Sequence, residues 1–321
     1  MCAQPLPHAG DNCADAQTFS RRNRGLPPWA QKCLSFALTA AIIAYLAQAL
    51  GHIGWDEVVR VLPRTPLFYL LVACSYLALP LMDFIIFRRW WPITMRAFAS
   101  ILRKRVLNDA VLGHSGDAYF FLWARRRFAA QQLRVQPLAA VKDVAIMSAL
   151  AGNVATLIML ALAFLLGGGT VVQDAFSGDA MRYVGIGFAF VISISLAILL
   201  FNRQVLSLPR RENLTTFLLH CLRLALTSLL LILAWTIALP QIAIGTWIIL
   251  EALRLVVTRL PFLPNKELLF AAIGVSLTGD AAPAVAALMA AAGALYLLAH
   301  ILCYAGATIL GPRTAATEDN A

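Results

Sequence analysis

Long runs of apolar residues, separated by short polar and mostly basic loops, are the dominant pattern of this chain. Runs at about 30–50, 66–87, 139–166, 182–201, 214–238, 240–257 and 283–310 are the expected spans. At ~1.5 Å rise per residue each crosses or nearly crosses a hydrocarbon core of ~30 Å. Two further stretches, 106–123 and 262–279, are shorter and interrupted by Gly, Pro, Asn or charge. Such pieces read as re-entrant or broken helices, tolerated where protein or a water-filled cavity covers their backbone. The pattern predicts an all-α polytopic transmembrane helix bundle of about seven spans plus two re-entrant or broken segments. Residues 29–311 then form a single transmembrane domain, flanked by disordered tails over 1–28 and 312–321.

Composition sharpens this. Of 321 residues, 60% are hydrophobic and 13% charged, against roughly 45–50% and 25% in soluble domains. The apolar excess needs lipid as its solvent. The net charge of +10 sits beside apolar segments, which points to an anionic membrane surface and away from nucleic acid. Basic loops at 88–142, 202–213 and 254–266, with Arg21, Arg22 and Arg24 in the tail, fall on one side if the amino terminus is cytoplasmic. Residues 167–181 carry Asp174 and Asp179 without Lys or Arg. A bacterial inner membrane with a cytoplasmic amino terminus is expected. The 30–50 run exceeds the 7–15 residues of a signal-peptide core, so it is read as an uncleaved anchor. Six cysteines without Cys-x-x-Cys spacing give neither a disulfide framework nor a metal site.

Charges inside apolar segments are the informative exceptions. Asp83 is expected to pair with Arg88 at the cytoplasmic end of the second span. Glu251 and Arg254, three positions apart, share a helix face and can pair. That segment runs into Arg259, Pro261, Pro264, Lys266 and Glu267, as expected of a polar cavity beside a broken helix. In 88–107, Trp91, Met95, Phe98 and Leu102 oppose Arg89, Arg96 and Arg103, which predicts an amphipathic helix in the cytoplasmic interface. The run Gly113-His114-Ser115-Gly116-Asp117, followed by aromatics and Arg125-Arg126-Arg127, offers backbone N–H groups and guanidinium groups to an anion. The same three arginines also serve as a topogenic block. Ala282, Ala286, Ala290 and Ala294 recur every fourth residue, a pattern of close helix packing. His300 is read as a hydrogen-bonded packing residue.

Signatures of hydrolases, P-loop enzymes and dithiol redox proteins are absent from the sequence, so a non-enzymatic protein without a cofactor is expected. Arg89-Trp90 after the second span, Gly116-Asp117 in a broken segment, and Leu260-Pro261-Phe262-Leu263-Pro264-Asn265-Lys266-Glu267 followed by Gly274-Val275 carry a resemblance. With the Ala-rich last span, the pattern resembles the lysylphosphatidylglycerol synthase transmembrane region, the flippase-like membrane family, over most of 30–310. That family includes the membrane half of multiple peptide resistance factors and stand-alone proteins linked to hopanoids and glycolipids. The chain departs from its motifs at Leu112, where a proline is usual, and at Phe120, where an arginine is usual. The resemblance implies a protein that binds or translocates a lipid between leaflets: an anionic phospholipid, a hopanoid or a polyprenyl-linked glycolipid. Lipid lysylation is not expected without a soluble transferase domain. The headgroup candidates are Asp117, Arg125, Arg126, Arg127, Glu251, Arg254, Lys266 and Glu267, with the cations attracting phosphate and the carboxylates ordering them. Membrane lipids are the expected partners. The alternative is a non-catalytic membrane scaffold for a lipid- or glycan-modifying enzyme. A membrane-embedded glycosyltransferase would need Asp117 or Glu251 as its carboxylate.

Overall fold

A computed structural model describes residues 63–110, 114–168, 193, 205–259 and 282–310. Every regular element among them is helical: α1 (Pro66–Arg88), α2 (Met95–Ala110), α3 (Ser115–Arg127), α4 (Pro137–Ala163, running into a π turn at Phe164–Gly168), α5 (Arg210–Ala238), α6 (Ile244–Arg259) and α7 (Ala282–Leu310). Four of these, α1, α4, α5 and α7, are long and apolar enough to cross a membrane. The sequence expectation is met for 66–87, 139–166, 214–238 and 283–310. Expected span 240–257 is the 16-residue α6, ~24 Å long and short of a full hydrocarbon core. The runs at 30–50 and 262–279, and that at 182–201 apart from Ser193, lie outside the described residues.

Local chemistry sets the helix starts. Pro66 and Pro137 occupy the first turns of α1 and α4, where a missing N–H costs nothing. At α5, the buried Asp143 carboxylate of α4 accepts from the backbone N–H of Ser207 (2.8 Å) and Leu208 (2.7 Å) and from Asn213 (3.3 Å). It thereby ties the entry of α5 to the first turns of α4.

Packing produces two apolar cores. The first joins Phe87, Trp90 and Trp91 near the end of α1 to Phe120 of α3 and Val141 of α4. The second joins Phe68 and Val72 at the start of α1 to Trp235 of α5, Trp247 of α6 and Leu288 of α7. Along α1 the residues between the two cores include Ser75 and Tyr76. Along α5 they include His220, Arg223, Thr227 and Ser228. A polar layer thus separates two greasy ones.

Helix α5 is turned inside out relative to a soluble amphipathic helix. Leu214, Leu218, Leu222, Leu226, Leu229 and Leu233 are exposed along one face, Leu222 at 59%. The opposite face buries Asn213, Thr216 and His220. Leucines outward and polar groups inward is the arrangement a lipid solvent selects.

The expected interfacial helix over 88–107 is corrected. The chain turns at Arg89–Thr94, and α2 begins at Met95. Trp91 is buried and donates to the Val135 carbonyl at 2.9 Å. Arg89 is ion-paired with Glu212, and Arg103 donates to the Ala307 carbonyl at 2.7 Å. These two arginines hold other helices.

Candidate functional site

The first polar cluster joins α1, α2 and α3. Lys104 donates to Asp83 at 2.7 Å, and its ammonium lies 3.1 Å from Asp117. Asp83 therefore pairs with Lys104, not with Arg88, whose guanidinium lies by the Phe84 ring. Burial works against the charge of Lys104, but Asp83 and Asp117 outweigh it and hold the ammonium above its ordinary pKa. Burial likewise pushes the Asp117 carboxyl up, and Lys104 and His114 outweigh it, holding the group below the usual carboxylate range.

The turn into α3 is built for close approach. A β-carbon on Gly116 would sit 1.9 Å from the Lys104 carbonyl oxygen, so no side chain fits there. Two of the N–H groups expected to be open to an anion in this run, those of Gly116 and Asp117, are taken. The Asn108 carboxamide oxygen already accepts from the N–H groups of Gly116 (2.7 Å) and Asp117 (3.2 Å). Arg125, Arg126 and Arg127 end α3 and are exposed, as a topogenic block would be.

The second cluster lies between α5 and α6. Glu251 is fully buried and takes two bonds from Arg254, Nε to Oε2 at 2.6 Å and Nη2 to Oε1 at 2.7 Å. Ser228 of α5 adds a third at 2.6 Å. The expected Glu251–Arg254 pairing is present, and it is bidentate. Lys266 and Glu267 lie outside the described residues. Asp117 and Glu251 belong to different clusters, and the exposed arginines to neither.

A third cluster ties α1, α2 and α7. The Tyr76 hydroxyl and His300 Nδ1 share a hydrogen bond at 2.7 Å, and His300 Nε2 lies 3.6 Å from Asp109. Arg105 sits 3.5 Å from the same carboxylate. His300 is thus a hydrogen-bonded residue of the helix interface.

Between these clusters runs a feature the sequence reading passed over. Asn213, Thr216, His220, Arg223 and Thr227 fall at spacings of three, four, three and four along α5, which places them on one seam. Thr216 and His220 are 1% and 0% exposed. The Thr216 hydroxyl, both His220 ring nitrogens, the Arg223 Nε and the Thr227 hydroxyl have no hydrogen-bond partner among the described residues. Arg223 is within electrostatic reach of Asp83, Asp109, Arg105 and Arg259. The carboxylates of Asp83 and Asp109 are already engaged by Lys104 and by Arg105 with His300. Arg259 ends α6 with its guanidinium pressed on Gly152 of α4, where a β-carbon would lie 2.3 Å from it. Its Nε is also buried without a partner among the described residues. The signal for this seam was in the sequence: Arg223 is an ionisable residue in the middle of an apolar run.

Among the described residues no group of three His, Cys, Asp or Glu side chains is placed to hold a metal ion. Comparison with protein-family models, with curated proteins and with solved structures finds no match for this chain.

Proposed function

We propose that this protein is a multi-span inner-membrane protein that binds a lipid headgroup and carries it between leaflets. The lipid class is an anionic phospholipid, a hopanoid or a polyprenyl-linked glycolipid. The reading rests on one observation above the others: charge is buried in the apolar interior of a bundle with four membrane-length helices, as at Lys104–Asp83 and Glu251–Arg254. An ionisable group in lipid costs roughly 2.5–3.5 kcal/mol on insertion scales. Groups such as Glu251 and Lys104 must therefore face one another or a polar passage. A helix bundle that keeps such groups inside, with leucines outside, suits a headgroup that must cross an apolar slab. The resemblance to the flippase-like family supports the same reading, as do the basic loops on the side taken as cytoplasmic.

The test is reconstitution in vesicles with labelled phosphatidylglycerol, a labelled hopanoid and a labelled polyprenyl glycolipid. Exchange between leaflets should rise above that of protein-free vesicles for at least one class. Unchanged exchange for every class removes the reading.

One observation favours the scaffold alternative. Glu251, Arg254 and Ser228 satisfy one another and leave Glu251 no oxygen unpaired. A scaffold would co-purify with a lipid- or glycan-modifying enzyme, and would keep doing so when Glu251→Ala folds.

A further inference from the structure

We infer that the polar seam of α5, Thr216–His220–Arg223–Thr227, together with Arg259 of α6, is a binding site for a phosphate-type anion. The inference deepens the lipid reading above, because it names the headgroup chemistry and the residues that meet it.

A buried polar atom without a partner is rare in folded proteins, and each one calls for a bound water, ion or ligand. Those of Thr216, His220, Arg223 and Thr227 are aligned on one face of α5, opposite the exposed leucines, while others, at Arg105, Asp143 and Arg259, lie on α2, α4 and α6. A one-residue accident would give a single orphan. Four residues spaced four, three and four apart give a track of ~16 Å along the helix axis.

Charge then selects the ligand. Lys104, Arg105, Arg223 and Arg259 lie beside Asp83, Asp117 and the exposed Asp109, while the buried Asp143 is held by the N–H groups of Ser207 and Leu208, by Asn213 and by Lys142. Lys104 takes Asp83 and Asp117, and Arg105 takes Asp109. No ion pair or hydrogen bond joins Arg223 or Arg259 to a side chain among the described residues. The Glu251 carboxylate is occupied by Arg254. Two guanidinium groups within electrostatic reach of one another repel, and an anion between them removes the repulsion. Guanidinium forks match phosphate oxygens in geometry as well as charge. The threonine hydroxyls can donate to further oxygens, and His220 can donate from one ring nitrogen. Gly152 belongs to the same design, since only its missing side chain lets Arg259 lie flat against α4.

A phosphate-type anion reaches such a site as a lipid headgroup or as free phosphate. The experiment uses the purified full-length protein in a non-ionic detergent, with dioleoylphosphatidylglycerol, phosphate-free dioleoylglycerol and inorganic phosphate as probes. Bound lipid is read by native mass spectrometry, and phosphate by its protection against heat. Phosphatidylglycerol should be retained and dioleoylglycerol should not. Arg223→Gln and Arg259→Gln should each weaken retention at least tenfold, Arg223→Lys less, and Arg64→Gln, at an exposed arginine before α1, not at all. Gly152→Ala keeps every charge but pushes the flexible end of Arg259 aside, so it should weaken retention with the fold intact. Native-like retention in Gly152→Ala together with either glutamine variant overturns the site. So does equal retention of dioleoylglycerol. Phosphate protection lost in Arg223→Gln and Gly152→Ala, without lipid retention, keeps the anion site and removes the lipid as its source. Seam-dependent lipid retention without leaflet exchange keeps the site and removes translocation.

Discussion

The guanidinium of Arg105 donates a 2.7 Å hydrogen bond to the backbone carbonyl of Tyr76 and lies 4.1 Å from the centre of the Tyr76 ring. The cause is four residues further along α1. Pro80 has no N–H, so the Tyr76 carbonyl loses its helical partner in a helix long enough to span a membrane. Arg105 supplies from α2 the donor that the helix cannot.

Arg105→Ala should therefore destabilise the protein by about 2–4 kcal/mol, the scale for stranding a buried acceptor beside a lost charged hydrogen bond. Pro80→Ala returns the N–H to α1. In that background Arg105→Ala should cost measurably less, and a double-mutant cycle of melting midpoints reads the coupling. Additive effects would mean that the two residues act independently.

Gly116→Ala should be severe, at about 3 kcal/mol or more, because the new methyl meets the Lys104 backbone oxygen and no side chain can yield. Gly245→Ala in α6 is the control. Nothing lies within 4 Å of its added carbon, and the helix gains about 1 kcal/mol from the lost glycine freedom. Melting curves of the two variants should move in opposite directions.

The reach of the sequence is clear from these residues. Glu251 and Arg254 were legible because their partnership is local, three positions along one helix. Asp83 pointed to Arg88 for the same reason, yet its partner Lys104 arrives through the fold of α2 under α1. Chain distance could not reveal that. The turn at Gly113–Asp117 announced a tight backbone but not the Asn108 side chain that occupies its donors. The four membrane-length helices followed from apolar run length alone. Arg223 and His220 were readable as polar intruders in the 214–238 run, and their alignment with Thr216 and Thr227 was available from spacing. What spacing could not tell is that their polar atoms lack partners, which is a property of α1, α4 and α6 packed around them.

Lys104→Met leaves Asp83 and Asp117 facing each other without a counter-charge, and should cost about 3–5 kcal/mol. The pH dependence follows from the two shifts. Asp117 is held low when folded, so its contribution is present above the unfolded value and is lost as pH falls through the folded one. Lys104 is held high, so its contribution is full below its unfolded value and is lost only as pH rises through the folded one. Melting temperature should be level between about pH 5 and 9 and fall on the acid side. In Asp117→Asn the acid decline should shrink.

Glu251→Gln removes the charge that Arg254 grips from both sides and should cost about 3 kcal/mol. Ser228→Ala removes only the third bond and should cost about 1 kcal/mol. A difference between them in detergent melting assigns the cluster its electrostatic weight. Equal costs would assign it to packing.

On the proposed route between leaflets, an anionic headgroup meets Arg223 of α5. The most direct measurement is leaflet exchange of labelled phosphatidylglycerol in vesicles holding equal amounts of the native protein, Arg223→Lys and Arg223→Gln. Exchange should be fast with the native protein, reduced with lysine, and near the protein-free rate with glutamine. Equal exchange in all three, with each protein folded, would contradict this route.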